Sequence, residues 1–189
     1  RLPVSASGRT KPLDSFARAS LLRLSGKQSF DADGRNAPAI EWLLEVWTNR
    51  EKAADRRVIR IDHPDVLVLL GLSEERRTRF GLREILPKFA EIGRQADLAS
   101  KEPRANRDSF QRHVLDLYSK LIDFSSLANF DAPYAVAPLA TGEEWKPLSE
   151  VATSDGRGET QAASSLMSIL ASYAAGDAAA TRAATAIYL

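Results

Sequence analysis

The sequence predicts a mainly α-helical protein that forms a single domain, residues 1–189, with one or two short β-strands. Three observations support this prediction. Apolar residues recur at helical spacing in several segments, and prolines and glycines stand near the ends of those segments. A chain of 189 residues with 44% hydrophobic content is also long enough to bury one sizeable core.

The first helix is predicted over residues 12–25. Pro12 suits the first helical position, where its missing N–H costs nothing, and Gly26 is a typical C-terminal stop. The apolar residues between them fall on one side of a helix: Leu13, Phe16, Ala17, Leu21 and Leu24.

The second helix follows Pro38, and its expected buried face consists of Ile40, Leu43, Leu44 and Trp47. No internal repeat is evident in the sequence. The next predicted elements are a polar turn at 29–38, a β-like run at 56–62, a short helix at 64–70, a helix at 82–96 that Pro87 interrupts, and a long helix at 105–128. An irregular connector follows at 129–159, with a short strand at 134–137. The alanine-rich helical tail at 160–189 breaks at Gly176, and Asp177 is expected to cap its last helix.

Charge is unevenly distributed along the chain. The net charge is +1 overall, but residues 1–60 carry +5, residues 61–130 carry 0 and residues 131–189 carry −4. A total so close to zero argues against a general polyanion binder. The basic segment also lacks the interleaved aromatic residues that are typical of single-strand binding. Nucleic acid is therefore not an expected partner.

The basic residues around the first helix are the candidate docking residues. Arg9, Lys11, Arg18 and Arg23 are suited to contact phosphate headgroups or an acidic partner, although charge runs of this kind more often form a solvated face. Trp42 lies outside the expected apolar stripe of the second helix. It is added as a candidate contact residue, with a core position as the alternative.

Catalytic candidates are few. Asp62, His63 and Asp65 lie within "IDHPD", where two carboxylates beside an imidazole suit acid–base chemistry of the hydrolase type. A helix cap, a turn histidine and a first-turn acid are the structural alternative. His63 is the one candidate metal ligand. His113 lies fifty residues further on without a metal-binding spacing, so no metal site is predicted.

Absent residues exclude further classes. The chain has no cysteine, which excludes a thiol nucleophile, a CxxC redox pair and cysteine-bound zinc. No segment approaches the roughly 18 apolar residues that a membrane span needs. Because the chain begins at Arg1 and its sole methionine is Met167, we expect a processed product or a piece of a longer protein.

The opening segment "LPVSASGRTKPLDSFAR", residues 2–18, resembles the "LPVQ-x-GR-x-KPLDTFAR" opening of a region found in ResB/CcsA-type cytochrome c biogenesis proteins. Other blocks agree with that family in the same order along the chain: "PAIEWLLEV" at 38–46, "VIRIDHPDVLVLLGL" at 58–72, "EEWKPLSE" at 143–150 and "LASYAAGD" at 170–177. The residues of the first block that match are Gly8, Arg9, Lys11, Pro12, Leu13, Asp14, Phe16 and Arg18.

The resemblance implies a periplasmic (extracytoplasmic) domain of an integral membrane protein that delivers and ligates haem. The family handles haem through a tryptophan-rich membrane-face segment with nearby histidines, and this chain lacks that segment. We therefore expect no cofactor bound by this fragment and no catalytic residue in it, with haem handled by the parent protein. The family pattern has Asn where His63 stands, so it does not support His63 as a ligand.

The expected partners are membrane-embedded parts of the same machinery and apocytochrome c. The expected role is protein–protein docking. Two alternatives remain open: a soluble helical module that binds a ligand or peptide unrelated to haem, and an enzyme that uses Asp62, His63 and Asp65.

Overall fold

The computed structural model of the protein describes residues 2–73, 76–136, 144–152 and 161–188. These residues are mainly helical, as the sequence predicts. The helices are α1 Leu13–Ser25, α2 Ala39–Thr48, α3 Arg50–Asp55, α4 Pro64–Leu70, α5 Leu82–Ile85, α6 Phe89–Lys101, α7 Ser109–Ala128, α8 Leu148–Ala152, α9 Gln161–Ala174 and α10 Ala178–Tyr188.

The described ranges contain eight short strands, which is more than the one or two that the sequence predicts. They are β1 Pro3–Ala6, β2 Arg9–Pro12, β3 Ser29–Ala32, β4 Arg35–Pro38, β5 Ile59–Arg60, β6 Arg79–Phe80, β7 Tyr134–Val136 and β8 Lys146–Pro147. All pair antiparallel, in a four-stranded sheet of order β2-β1-β7-β8 and two separate pairs, β3–β4 and β5–β6.

The first two hairpins explain part of this difference. Each closes through a two-residue turn in which both residues have positive φ, at Ser7–Gly8 and at Asp33–Gly34. Such turns match the right-handed twist of the flanking strands. Residues 29–38, predicted as a polar turn, therefore form a complete hairpin.

The two hairpins belong to an internal repeat, which corrects the expectation that the chain has none. β1, β2 and α1 begin at Pro3, Arg9 and Leu13, and β3, β4 and α2 begin at residues 29, 35 and 39, each offset by 26 residues. The strand registers match at the same offset. Buried residues also correspond in pairs: Val4 with Phe30, Leu13 with Ala39, Ala17 with Leu43 and Leu21 with Trp47.

The helix ends follow the local sequence. Pro12 and Pro38 are extended N-cap residues rather than first helical residues, so α1 and α2 each begin one position after the proline. Gly26 ends α1 with a φ of 71°, a conformation that glycine adopts without strain. In the tail, Gly176 separates α9 from α10, and Asp177 accepts hydrogen bonds from the Ala179 and Ala180 N–H groups, as predicted.

Within residues 129–159, predicted as an irregular connector, the strand expected at 134–137 is present as β7, and the rest is more ordered than expected where it is described. The stretch contains β7, β8 and α8, and β7 joins the first hairpin to β8 within one sheet. Residues 137–143 and 153–160 of that stretch lie outside the described residues.

The core is built around α2, which packs against α1, α3, α7 and α9. The buried apolar side chains form one cluster that draws on the hairpins as well as on the helices. Pro87 lies in a 3-10 turn between α5 and α6, which confirms the predicted interruption there. α6 then packs against α7 as an antiparallel pair.

Candidate docking surface

The two candidate docking arginines of α1 are paired with carboxylates of the same chain. Arg18 lies 2.9 Å from Asp14, one turn earlier in the helix. Arg23 donates to Asp116 of α7 at 2.7 Å and to Ser119 Oγ at 3.2 Å. Both pairs are about half exposed, so they match the charges of Arg18 and Arg23 only in part, and Arg18 and Arg23 are weaker docking candidates than unpaired cations.

The carboxylate of Asp116 forms ion pairs with two basic side chains. Its Oδ1 accepts from Arg23, and its Oδ2 lies 2.8 Å from the Nζ of Lys120, whose side chain is nearly buried. Partial burial raises the pKa of Asp116, but the hydrogen bonds from Lys120 and Arg23 outweigh it. The net result is a pKa below the usual 3.8.

We expect Asp116 to contribute to acid sensitivity. A carboxylate whose pKa is lowered by folding stabilises the protein above its unfolded-state pKa, here 3.8, and that contribution is lost as the pH falls through the folded-state value. Asp116→Asn should cost about 1 kcal/mol of unfolding free energy at about pH 7 and clearly less at about pH 2.5. Urea unfolding of both proteins at the two pH values measures the difference in unfolding free energy. An equal loss at both pH values would show that Asp116 does not contribute to acid sensitivity.

Arg9 and Lys11 differ from the α1 arginines because they lie on β2, the edge strand of the four-stranded sheet. Among the described residues, no carboxylate lies within 4.0 Å of either side chain. Charged residues on an edge strand also hinder its pairing with the sheet of another molecule. Protection against aggregation is therefore an alternative, purely structural reason for Arg9 and Lys11 at these positions. The two cations are therefore available to a partner.

The repeat shows why Arg9 has no carboxylate partner within its own hairpin–helix unit. Its equivalent in the second hairpin is Arg35, whose Nη2 lies 2.5 Å from Glu41 Oε2 in α2. The position in α1 that corresponds to Glu41 is Ser15, which carries no charge. The first unit thus keeps the hairpin arginine but lacks the acid that neutralises it in the second.

A groove of about 790 Å³ runs beside the first hairpin. The hairpin residues 5–8 and Thr10 form one wall, and Phe16, Tyr134 and Trp145 also line the groove. Tyr134 is exposed and the other two aromatic residues are half-buried. Aromatic side chains combine large apolar area with few rotatable bonds and so suit contact with a peptide. Two of the blocks that carry the resemblance, residues 2–18 and 143–150, both contribute to this groove.

Trp42 does not belong to this surface, and its inclusion among the docking candidates is wrong. Its side chain is fully buried and lies edge-on to Phe124, with ring centroids 6.2 Å apart. The buried face of α2 consists of Ala39, Trp42, Leu43, Val46 and Trp47, so the predicted stripe was rotated; Ile40 and Leu44 are only half-buried.

Both histidines lie in a second cavity, of about 340 Å³, which the sequence spacing did not predict. The His63 and His113 rings lie 4.6 Å apart because α4 packs against α7. Asp62 lines the same cavity, whereas Asp65 does not. His63, not Asp62, is the N-cap residue of α4, and Asp65 lies in its first turn.

The arrangement around the histidines does not form an acid–base pair. Asp62 lies 2.7 Å from Arg60 Nε, and its charge is matched there. His113 Nδ1 is 2.7 Å from the Ser109 carbonyl oxygen, and the buried Nδ1 of His63 has no hydrogen-bond partner among the described residues. No group of three or more acidic or histidine side chains in the described ranges is placed to hold a metal ion.

No protein-family model matches this chain, and no curated protein matches it. Within the described ranges, none of the helices combines the length and apolar character needed to cross a lipid bilayer.

Proposed function

We propose that this chain is a non-catalytic extracytoplasmic domain of a membrane-bound cytochrome c biogenesis protein of the ResB/CcsA type. Its first hairpin and the groove beside it dock either apocytochrome c or the membrane-embedded parts of the same machinery. Haem is handled elsewhere in the parent protein, and this domain holds no cofactor.

One observation carries the proposal: two sequence blocks that resemble this family, far apart in the chain, meet at one groove. β2 lines the groove through Thr10 and carries Arg9 and Lys11 on either side of it; these two cations have no carboxylate partner among the described residues, whereas the groove itself is lined by one acidic residue, Glu144. Aromatic side chains from three separate segments line it. Aromatic area in the groove, together with unpaired cations on the adjoining edge strand, suits a peptide that fills the groove with apolar side chains and meets Arg9 and Lys11 with acidic ones.

We expect Arg9→Gln combined with Lys11→Gln, introduced into the gene in its native organism, to lower the yield of mature cytochrome c several-fold. The expectation follows because removing two uncompensated cations weakens and slows association with an acidic partner. The yield is measured by haem-stained gels of membrane fractions. Both side chains lie on the sheet edge, so the circular dichroism of the purified variant should remain unchanged.

The matched control is Arg50→Gln combined with Arg104→Gln, which removes the same charge from two exposed arginines away from the groove. Neither has a carboxylate within 4.0 Å among the described residues. An unchanged yield in the Arg9/Lys11 variant, or an equal loss in the control, would overturn the proposal.

The alternative of a peptide-binding module unrelated to haem is favoured by the same aromatic groove. Trp145→Ala separates the two functions. If docking serves cytochrome c maturation, Trp145→Ala lowers the yield of mature cytochrome c, as Arg9→Gln and Lys11→Gln do. Normal maturation with all three changes would instead favour the unrelated module.

A further inference from the structure

A third cavity, of about 340 Å³ and termed here the basic groove, lies between the end of α1, the second hairpin and the β5–β6 pair. Four basic side chains line it, Lys27, Arg35, Arg57 and Arg79, against a single acidic one, Asp31. It does not overlap the docking groove beside the first hairpin.

Most of this positive charge has no acidic partner in the part of the chain that the structure describes. Arg35 is paired with Glu41, but Lys27, Arg57 and Arg79 have no carboxylate within 4.0 Å among the described residues. Asp31 is hydrogen-bonded within the turn of the second hairpin, where its Oδ1 accepts a hydrogen bond from the Gly34 N–H at 2.6 Å. Glu84, whose pKa responds to Arg57, is itself hydrogen-bonded by Arg77.

The position of Arg79 is fixed by the backbone. Its Nε donates to the Ser25 carbonyl oxygen at 2.9 Å, at the C-terminal end of α1 where the helix dipole favours a cation. Both Nη atoms remain free of protein partners among the described residues. The guanidinium plane is therefore held in place while most of its donors remain unused.

Arg79 also lies directly opposite Arg60 in the β5–β6 pair. A methyl group added to Gly26 would lie 3.1 Å from Arg60 Nη1 and 3.9 Å from Arg79 Nη2, so both guanidinium groups lie beside Gly26 at the end of α1. Like charges opposed across strands destabilise a sheet. Asp62 matches the charge of Arg60, which leaves that of Arg79 uncompensated.

We propose that the basic groove binds a phosphate group, supplied either by a small phosphate monoester or by a lipid headgroup. A phosphate monoester carries a charge of about −1.5 to −2 near pH 7, which suits three cations better than a single carboxylate does. Guanidinium groups bind two phosphate oxygens at once, and Lys27 adds a point charge. Ser29 and Asn36 line the groove as polar neighbours, and Phe30 and Val58 supply apolar contacts for the rest of the ligand.

This binding site is independent of the docking function proposed above. Calorimetric titration of the purified chain with inorganic phosphate and with glycerol phosphate, at low salt, tests it directly. We expect saturable binding that Lys27→Gln combined with Arg57→Gln weakens roughly tenfold or more. Both side chains are exposed, so the double variant should remain folded.

A second arm distinguishes the two sources of phosphate. Vesicles of phosphatidylcholine with phosphatidic acid, whose headgroup is a phosphate monoester, are compared with vesicles of phosphatidylcholine alone, by co-sedimentation. Binding to the anionic vesicles that is lost in the Lys27/Arg57 variant supports a lipid headgroup. Binding to glycerol phosphate without vesicle binding supports a small soluble ligand.

The control is again Arg50→Gln combined with Arg104→Gln, which lowers the net charge equally outside the groove. If neither phosphate nor anionic vesicles bind, the proposal fails. If the control loses as much affinity as the Lys27/Arg57 variant, the attraction is general rather than local, and the proposal also fails.

Discussion

Replacing Trp42 with alanine is expected to reduce the free energy of unfolding by about 3–5 kcal/mol. The indole is fully buried at the centre of α2 and packs edge-on against Phe124 of α7. Its removal leaves a large cavity between helices that cannot close without moving the core. Urea unfolding followed by far-UV circular dichroism measures the change.

Two further variants sharpen this test. Leu22→Ala, on the exposed side of α1, should change stability by less than about 0.5 kcal/mol. Trp42→Phe should cost much less than the alanine variant, because it retains an aromatic ring and also removes a buried indole N–H that has no hydrogen-bond partner among the described residues. A loss in Trp42→Ala as small as that in Leu22→Ala would show that Trp42 is not part of the core.

Replacing Arg56 with methionine is the second change with a large expected effect, about 3–5 kcal/mol of unfolding free energy. Arg56 donates to Glu45 through Nε at 2.7 Å and through Nη2 at 2.9 Å, and its Nη1 donates to Asp33 at 2.7 Å. The Arg56 and Glu45 side chains are only 8% and 12% exposed. Without Arg56, the carboxylate of Glu45 loses its closest cationic partner in a site with little access to water.

The double variant Arg56→Met with Glu45→Met should be more stable than Arg56→Met alone, because in the single variant the nearly buried Glu45 keeps only Lys52, at 3.3 Å, as a cationic partner. The hydrogen bonds that Arg56 donates to Glu45 raise the pKa of Arg56 above its usual value, so it stays charged at every ordinary pH. Lys101→Met, which breaks an exposed pair with Asp97, serves as the control and should cost less than about 0.5 kcal/mol. If the double variant is no more stable than Arg56→Met, the buried charge is not the cause of the loss.

The sequence predicted α1 correctly because its signals are local. Pro12, Gly26 and a stripe of apolar residues each reflect short-range backbone chemistry. The hairpins were missed although Asp33–Gly34 is a typical turn pair, because strands of four residues carry too few side chains for alternation to be recognised. The repeat was missed because its two copies share too few residues. Within the hairpins and their helix caps, only four positions are identical to those 26 residues later: Ala6, Gly8, Arg9 and Pro12.

The candidate site was less predictable than the fold. That Arg18 has a partner in Asp14 follows from helical spacing, but the contact of Arg23 with Asp116 joins helices far apart in the chain. The proximity of His63 and His113 likewise depends on how α4 packs on α7. A single sequence contains no periodicity that encodes such long-range contacts.

The duplicated strand–turn–strand–helix unit also bears on how the chain folds. Each copy makes its hairpin and its first helical turns from neighbours in sequence, so little loop-closure entropy opposes its formation. Hairpins of this size form in roughly 1–10 microseconds. Two nuclei should therefore arise independently within the first 48 residues, and the collision of α1 with α2 would then create the template on which the later helices assemble.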